Sequence, residues 1–169
     1  MAVVYLGIGS NLGDKQGNCL DALERLSTKG VSISKRSALY ETQPWGVEDQ
    51  PDFVNMAVEA ETGMTPEELL RTLKEIEREM GRKVGTPWGP RLIDLDVLLF
   101  DDRIVQSKDL IIPHPLLHKR DFVLIPLAEI SPERVHPVLH KTIRELARAL
   151  GKRGSDEETD HINHQQVKD

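Results

Sequence analysis

The stretch TPEELLRTLKEIEREMG, Thr65 to Gly81, carries the marks of an amphipathic helix, and the rest of the fold is read outward from it. Thr65 is placed to cap the helix, Pro66 suits its first position, Glu68 closes a capping box and Gly81 ends it. Leu69, Leu70, Leu73, Ile76 and Met80 form one apolar stripe. Upstream, Phe53 to Glu61 sets Val54, Met56, Val58 and Ala60 against Phe53, Asn55, Ala57 and Glu59, the alternation of a strand with two unlike faces. Downstream, past a loop from Arg82 to Arg91, Leu92 to Phe100 reads as a strongly apolar strand. Further toward the N-terminus, Val3 to Ile8 is a buried strand ending at Gly9. Asp14 then caps a helix carrying Leu20, Leu23 and Leu26, which Gly30 ends. Val31, Ile33 and Lys35 alternate with serines as a second strand, and Ala38 to Thr42 lead into a loop with Pro44 and Gly46. The order strand, helix, strand, strand, helix, strand predicts an α+β fold. It is that of a ferredoxin-like sandwich, with a mostly antiparallel sheet and packed helices covering one face.

Shorter pieces follow: a strand at Asp109 to Ile112, an apolar segment from Phe122 to Ile130 interrupted by Pro126, and a last helix from Thr142 to Leu150. The 169 residues suit one domain, placed at 1–150. Beyond Gly151, the sequence KRGSDEETDHINHQQVKD offers almost nothing to bury, so 151–169 is expected to be a disordered polar tail. The single cysteine, Cys19, excludes an internal disulfide and suits a reducing compartment. The N-terminal MAVVYLGIGSN lacks a charged leader, and no run approaches the roughly 18 apolar residues of a membrane span. A cytoplasmic protein without membrane contact is therefore expected. With 28 acidic against 22 basic residues the net charge is -6, which argues against general nucleic-acid binding but leaves small phosphorylated ligands open. Monomer and weak dimer both remain open.

Asp94 and Asp96 are two residues apart in a strand, so their carboxylates share a face with Cα atoms about 6.5 to 7 Å apart. An Asp-x-Asp pair alone is more often simply a solvated strand face. Here Leu92 and Leu98 flank the acids on their own side, which makes simple solvation less comfortable, and such a pair suits one or two Mg²⁺ ions bound with phosphate oxygens. Arg82, Lys83 and Arg91 bracket a loop that also holds Gly85, Pro87, Trp88, Gly89 and Pro90, and arginine's planar fork matches phosphate. Glu77 falls along the apolar stripe of its helix, at the end leading to Arg82. The glycines of GIGSNLG are spaced one residue too long for a dinucleotide fingerprint and lack the lysine of a P-loop, so they read as a tight turn with close backbone packing. His114 with His118 and His136 with His140 have helical metal-ligand spacing, but proline follows His114 and His136 and no cysteine cluster accompanies them. A metal-dependent phosphohydrolase and a ligand-binding regulatory module remain rival readings. An RNA-binding module is disfavoured by an acidic chain of 4% aromatic content.

Taken in order, five segments resemble the 6-hydroxymethyl-7,8-dihydropterin pyrophosphokinase (HPPK) family over about Val3 to Leu150. They are Gly9-Ser-Asn-Leu-Gly13, Glu41-Thr-Gln-Pro-Trp-Gly46, Gln50-Pro-Asp-Phe-Val-Asn55, Trp88-Gly-Pro-Arg-Leu-Ile-Asp-Leu-Asp96, and Pro113-His-Pro through Arg120-Asp-Phe122. The resemblance implies transfer of the β,γ-diphosphate of ATP to a reduced pterin's hydroxymethyl oxygen, with release of AMP. It also implies roles. Asp94 and Asp96 would bind two Mg²⁺ ions, Arg82 and Arg91 would hold the diphosphate in transfer, and Asp96 would be placed to accept a proton. Phe53 and Phe122 would sandwich the pterin, with Thr42, Pro44, Gly46, Asn55 and Trp88 completing its pocket. Leu70, Val97 and Leu110 would bed the adenine, while Glu77, His114 and Arg120 would line the rest of the nucleotide site. The loop from Arg82 to Trp88 is shorter than in some relatives and carries Val84 and Gly85 where some have basic residues.

Overall fold

The computed structural model describes residues 1–42, 52–81, 92–157 and 162–167, with backbone only for Thr42, 153–157 and 162–167. Thirteen elements follow in chain order, twelve helices and strands and one short 3-10 turn: β1 (Ala2–Ser10), α1 (Lys15–Thr28), β2 (Val31–Arg36), β3 (Leu39–Thr42), β4 (Phe53–Thr62), α2 (Pro66–Glu79), β5 (Asp94–Phe100), β6 (Val105–Gln106), β7 (Ile111–Ile112), the 3-10 turn Leu117–Lys119, α3 (Asp121–Ile130), α4 (Ile143–Glu157) and β8 (Ile162–Val167). The main sheet runs β5-β1-β4-β3-β8, with β2 also on β4, and every pairing in it is antiparallel. The α+β architecture read from the sequence is the one the chain adopts.

Local chemistry fixes the helices. The Asp14 carboxylate accepts from the Gly17 N–H at the start of α1. Thr65 and Glu68 make both bonds of the capping box on α2, with Pro66 in its first turn. Glu145 accepts from the Thr142 N–H at the start of α4, and the Glu145 N–H donates to Thr142 Oγ1 in return. Between β2 and β3 the chain breaks at Ser37, whose backbone N–H donates to the Ala57 carbonyl while its hydroxyl accepts from the Ala57 N–H. One side chain thus replaces a missing ladder bond, so both short strands stay on β4.

Alternation along the strands divides the core in two. Val4, Leu6 and Ile8 of β1 and Val54, Met56 and Val58 of β4 meet Cys19, Ala22 and Leu26 of α1 and Leu69, Leu73 and Ile76 of α2. On the opposite face Tyr5, Ala57, Leu98 and Leu99 meet Leu124 and Leu127 of α3 and Ile143 and Leu146 of α4. Helices therefore cover one face and part of the other, which the strand order alone did not indicate.

Five local readings change. Gly7 and Gly9 lie inside β1, not in a turn, because the strand continues to Ser10 in full register with β4. The segment interrupted by Pro126 is a helix, α3, since proline there forgoes only its own donation toward Phe122 near the first turn. The predicted strand at Asp109 to Ile112 shortens to β7, paired with β6, and β5 begins at Asp94. In the segment expected to be a polar tail, α4 runs on to Glu157 and the backbone of Ile162–Val167 pairs with β3.

Candidate active site

On the second sheet face, next to the core under α3 and α4, three neighbouring strands build the candidate site. Asp94 of β5 pairs with Gly9 of β1, and Gly9 pairs with Asn55 of β4; one row along, Asp96 pairs with Gly7 and Gly7 with Ala57. Directly opposed residues share a face, so the carboxylates and the Asn55 amide stand on the same side with only glycine between them. Two strand spacings separate Asp94 from Asn55, about 10 Å. Asp94, Asp96, Asn55 and Phe53 are all half-buried. The floor is thus glycine backbone without side chains, with acids at one edge and an aromatic and an amide at the other.

Each edge is held from behind. Between the two acids, the Leu95 side chain turns into the helix-side core and its N–H donates to Glu77 Oε2 at 3.0 Å. Glu77 is 5% exposed, so this carboxylate secures the strand segment that carries both aspartates. On the far edge, Lys15 Nζ donates to the Asp52 carbonyl, tying the start of α1 to the residue before Phe53. Tyr40, paired with Asn55, donates its hydroxyl to Glu129 of α3, which also accepts from the Ala38 N–H.

His114 closes the acidic edge. Its backbone N–H donates to the Leu98 carbonyl of β5, and its Nδ1 accepts from the Leu116 N–H at 3.1 Å. With Nδ1 an acceptor, the proton of the neutral ring sits on Nε2. Burial, then the nearby Arg120 guanidinium, hold the imidazole below its usual value, while Asp94 pulls it the other way. His114, Arg120 and Asp94 therefore share one neighbourhood. Arg120 lies 5.4 Å over the ring of Phe122 in the first turn of α3. His136 Nδ1 likewise accepts from the Val138 and Leu139 N–H groups, so it serves a turn.

The carboxylate pair fits a magnesium ion. Two hard oxygen donors on one half-open face supply part of an octahedron and leave positions for water and phosphate oxygens, as Mg²⁺ prefers. Among the described residues there is no group of three or more His, Cys, Asp or Glu that could hold a metal ion.

Of the residues singled out from the sequence, Asp94, Asp96, Asn55 and Phe53 sit around the glycine floor, His114 and Arg120 adjoin its acidic edge, and Phe122 lies under the Arg120 guanidinium in the first turn of α3, the helix that packs on β4. Leu70, Val97 and Leu110 gather elsewhere, in or against the helix-side core, on the opposite face of β5 from the carboxylates. Glu77 is also on that side. Pro44, Gly46, Arg82, Trp88 and Arg91 lie outside the described residues, as does the side chain of Thr42. Gly7 and Gly9 are the residues whose place the sequence hid: a glycine before a helix reads as a turn, and only the strand register shows otherwise.

The family described as 7,8-dihydro-6-hydroxymethylpterin-pyrophosphokinase (HPPK) matches residues 5–132. The chain is 46% identical over 146 residues to the 2-amino-4-hydroxy-6-hydroxymethyldihydropteridine pyrophosphokinase of Aquifex aeolicus, covering 86% of this chain and 91% of that protein. It is 46% identical over 132 residues to the Bacillus subtilis protein of the same name, covering 78% and 79%. With the folic acid synthesis protein fol1 of Pneumocystis carinii it shares 47% identity over 80% of this chain, though over only 18% of that longer protein. In fold it is similar to Plasmodium falciparum HPPK-DHPS, with a TM-score of 0.76 at 20% identity; the match covers 97% of this chain and 46% of that one, so the chain spans about half of the structure. No helix among the described residues is long and apolar enough to cross a membrane.

Proposed function

The chain belongs to the 7,8-dihydro-6-hydroxymethylpterin-pyrophosphokinase family, and on that premise we propose how its residues divide the reaction. The enzyme is an ATP-dependent transferase of folate biosynthesis. It passes a diphosphate from ATP to the hydroxymethyl group of 6-hydroxymethyl-7,8-dihydropterin, giving AMP and the pterin diphosphate. The observation that supports the division of roles is the row Asp94, Gly9, Asn55 across three strands.

The pterin lies at the Asn55 end. Phe53 and Phe122 stack on its flat faces, and the Asn55 amide, with Thr42, meets the donors and acceptors of its ring edge. Pro44, Gly46 and Trp88 complete the pocket. The nucleotide phosphates lie at the Asp94 and Asp96 end, where these carboxylates would hold two Mg²⁺ ions. The ions, when bound, neutralise phosphate charge and fix the diphosphate in place. His114 Nε2–H and Arg120 donate to phosphate oxygens, and Arg82 and Arg91 hold the diphosphate as it moves. Because β5 is the outer strand of the sheet on this side, adenine reaches Leu70, Val97 and Leu110 around its edge, beside Glu77. In the transfer, the hydroxymethyl oxygen bonds to the β-phosphorus as the bond from that phosphorus to the α-phosphate oxygen breaks. AMP carries away the electron pair, and the hydroxyl proton passes to Asp96.

The unit that does this is residues 1–150. Its acidic balance and lone buried cysteine suit the cytoplasm, as a monomer or weak dimer. The test is an assay of AMP release with MgATP, with and without the reduced hydroxymethylpterin. Release that depends on the pterin, together with formation of the pterin diphosphate, supports transfer. Release at the same rate without pterin would identify a phosphohydrolase instead.

A further inference from the structure

Gly9 occupies the middle of the row between Asp94 and Asn55, yet its φ lies outside the left-handed region, so backbone freedom does not explain the residue. Space does. A Cβ at this position would lie 2.7 Å from Asn55 Oδ1 and 3.7 Å from both Asn55 Cγ and Phe53 Cδ1. The first distance is shorter than a carbon and an oxygen tolerate, so one of them must move. At Gly7, on the same side of the same strand, the nearest atom to an added Cβ is a terminal carbon of Leu98 at 3.5 Å, an ordinary contact. Of the two floor glycines, Gly9 is therefore the one under a steric demand. The atom that must yield is the tip of a side chain, and Gly9 is otherwise held by paired strands on both sides. A methyl group there would turn the amide and leave the sheet standing.

We infer that Gly9 is a positioning residue for the pterin pocket: its bare Cα is the rest on which the Asn55 amide lies, and it thereby selects ligands whose ring edge pairs with an amide in that orientation. This rests on the reading above that Asn55 lines the pterin pocket. Gly9 itself need touch neither substrate.

The experiment compares wild type, Gly9→Ala, Asn55→Ala and the double variant. For each, calorimetry gives the affinity for 6-hydroxymethyl-7,8-dihydropterin in the presence of a non-hydrolysable MgATP analogue, the affinity for that analogue alone, and the melting temperature. Steady-state assays supply both KM values. Gly9→Ala is expected to weaken pterin binding about tenfold, the loss of roughly one well-aligned hydrogen bond. Its KM for the pterin should rise while the analogue's affinity and the KM for ATP stay unchanged. Asn55→Ala should weaken pterin binding similarly, and Gly9→Ala should add no further loss in the Asn55→Ala background, since the two act through one amide. Wild-type pterin affinity in Gly9→Ala, with Asn55→Ala impaired, would overturn the inference and leave the pocket reading standing. Losses that add in the double variant would also overturn it, placing the effect of Gly9 elsewhere. Wild-type affinity in Asn55→Ala would remove the pocket reading and the inference with it. Should Gly9→Ala fail to fold, the double variant decides: recovery of the folded chain supports the clash with Asn55, and continued unfolding overturns it.

Discussion

Asp94 and Asp96 stand half-buried on a strand whose other side is packed into the core, so replacing either carboxylate changes charge and ligation but little packing. If the proposed site is right, Asp94→Asn and Asp96→Asn should each lower turnover on the order of 10²-fold or more, because each would remove a ligand for cations that offset phosphate charge. Their melting temperatures should stay close to wild type. Near-normal AMP release by both variants would contradict the assignment. Cys19 makes the opposite case. It is fully buried among Ala22, Leu26 and the β4 side chains, and burial pushes its thiol up to about 12. Since the thiolate is the reacting form, a disulfide reagent near pH 8 should leave the native enzyme unmodified and titrate one thiol after unfolding. Rapid labelling of active enzyme would show that α1 opens readily. Tyr40 gives a pH dependence. Burial first, then its bond to Glu129, raise the phenol to about 12 from an ordinary value of 10. The folded chain therefore keeps a proton that the unfolded chain loses. This contribution is complete below pH 10 and fades as pH rises through about 12. Melting temperature should consequently fall more steeply over that window in wild type than in Tyr40→Phe, and parallel curves would show that the phenol adds nothing.

At the scale of elements, what could be read in advance followed from local signals. The capping box of Thr65 and Glu68 and the stripe through Leu73 and Ile76 specify α2 by themselves, and the alternation of Val54, Met56 and Val58 specifies β4. Thr65→Ala should accordingly cost about 1 kcal/mol, or roughly 2 to 4 °C of melting temperature for a chain of this size. Turnover should be unaffected, because the cap lies at the far end of α2 from Glu77. A thermal scan paired with the activity assay checks both halves. The elements that escaped were those whose local signals mislead. Pro126 speaks against a helix that tertiary packing of Leu124 and Leu127 nonetheless forms, and β6 and β7 are two residues each, too short for any period to show. Asp94 and Asp96 were legible because a strand's two-residue repeat suffices to put them together. The place of Gly9 was not, because it depends on which strands flank β1 and in what register, and one strand's sequence does not contain that.

Across the whole molecule the sheet has two unlike ends. β5, with both carboxylates, forms one outer side; at the other, beyond β4 and β3, the backbone of β8 is added. The proposed reaction uses only strands from β5 to β3, and the family match itself ends at residue 132. Removing everything after Gly151 deletes the end of α4 and all of β8 but none of Asp94, Asp96, His114, Arg120, Phe53, Asn55 or Phe122. KM for both substrates and turnover should therefore stay near wild type. The physical cost falls elsewhere. Without β8, the N–H and C=O groups of Leu39–Thr42 that pair with it become a free strand edge, and such an edge is a template for another chain. The truncated enzyme should be as active as the full chain at low concentration but more prone to self-association as concentration rises. Turnover measured alongside size-exclusion chromatography over a concentration series separates the two effects. A fall in turnover at the lowest concentration, where the protein elutes as a monomer, would show that residues 152–169 support the site through β3 and would extend the catalytic unit beyond 150.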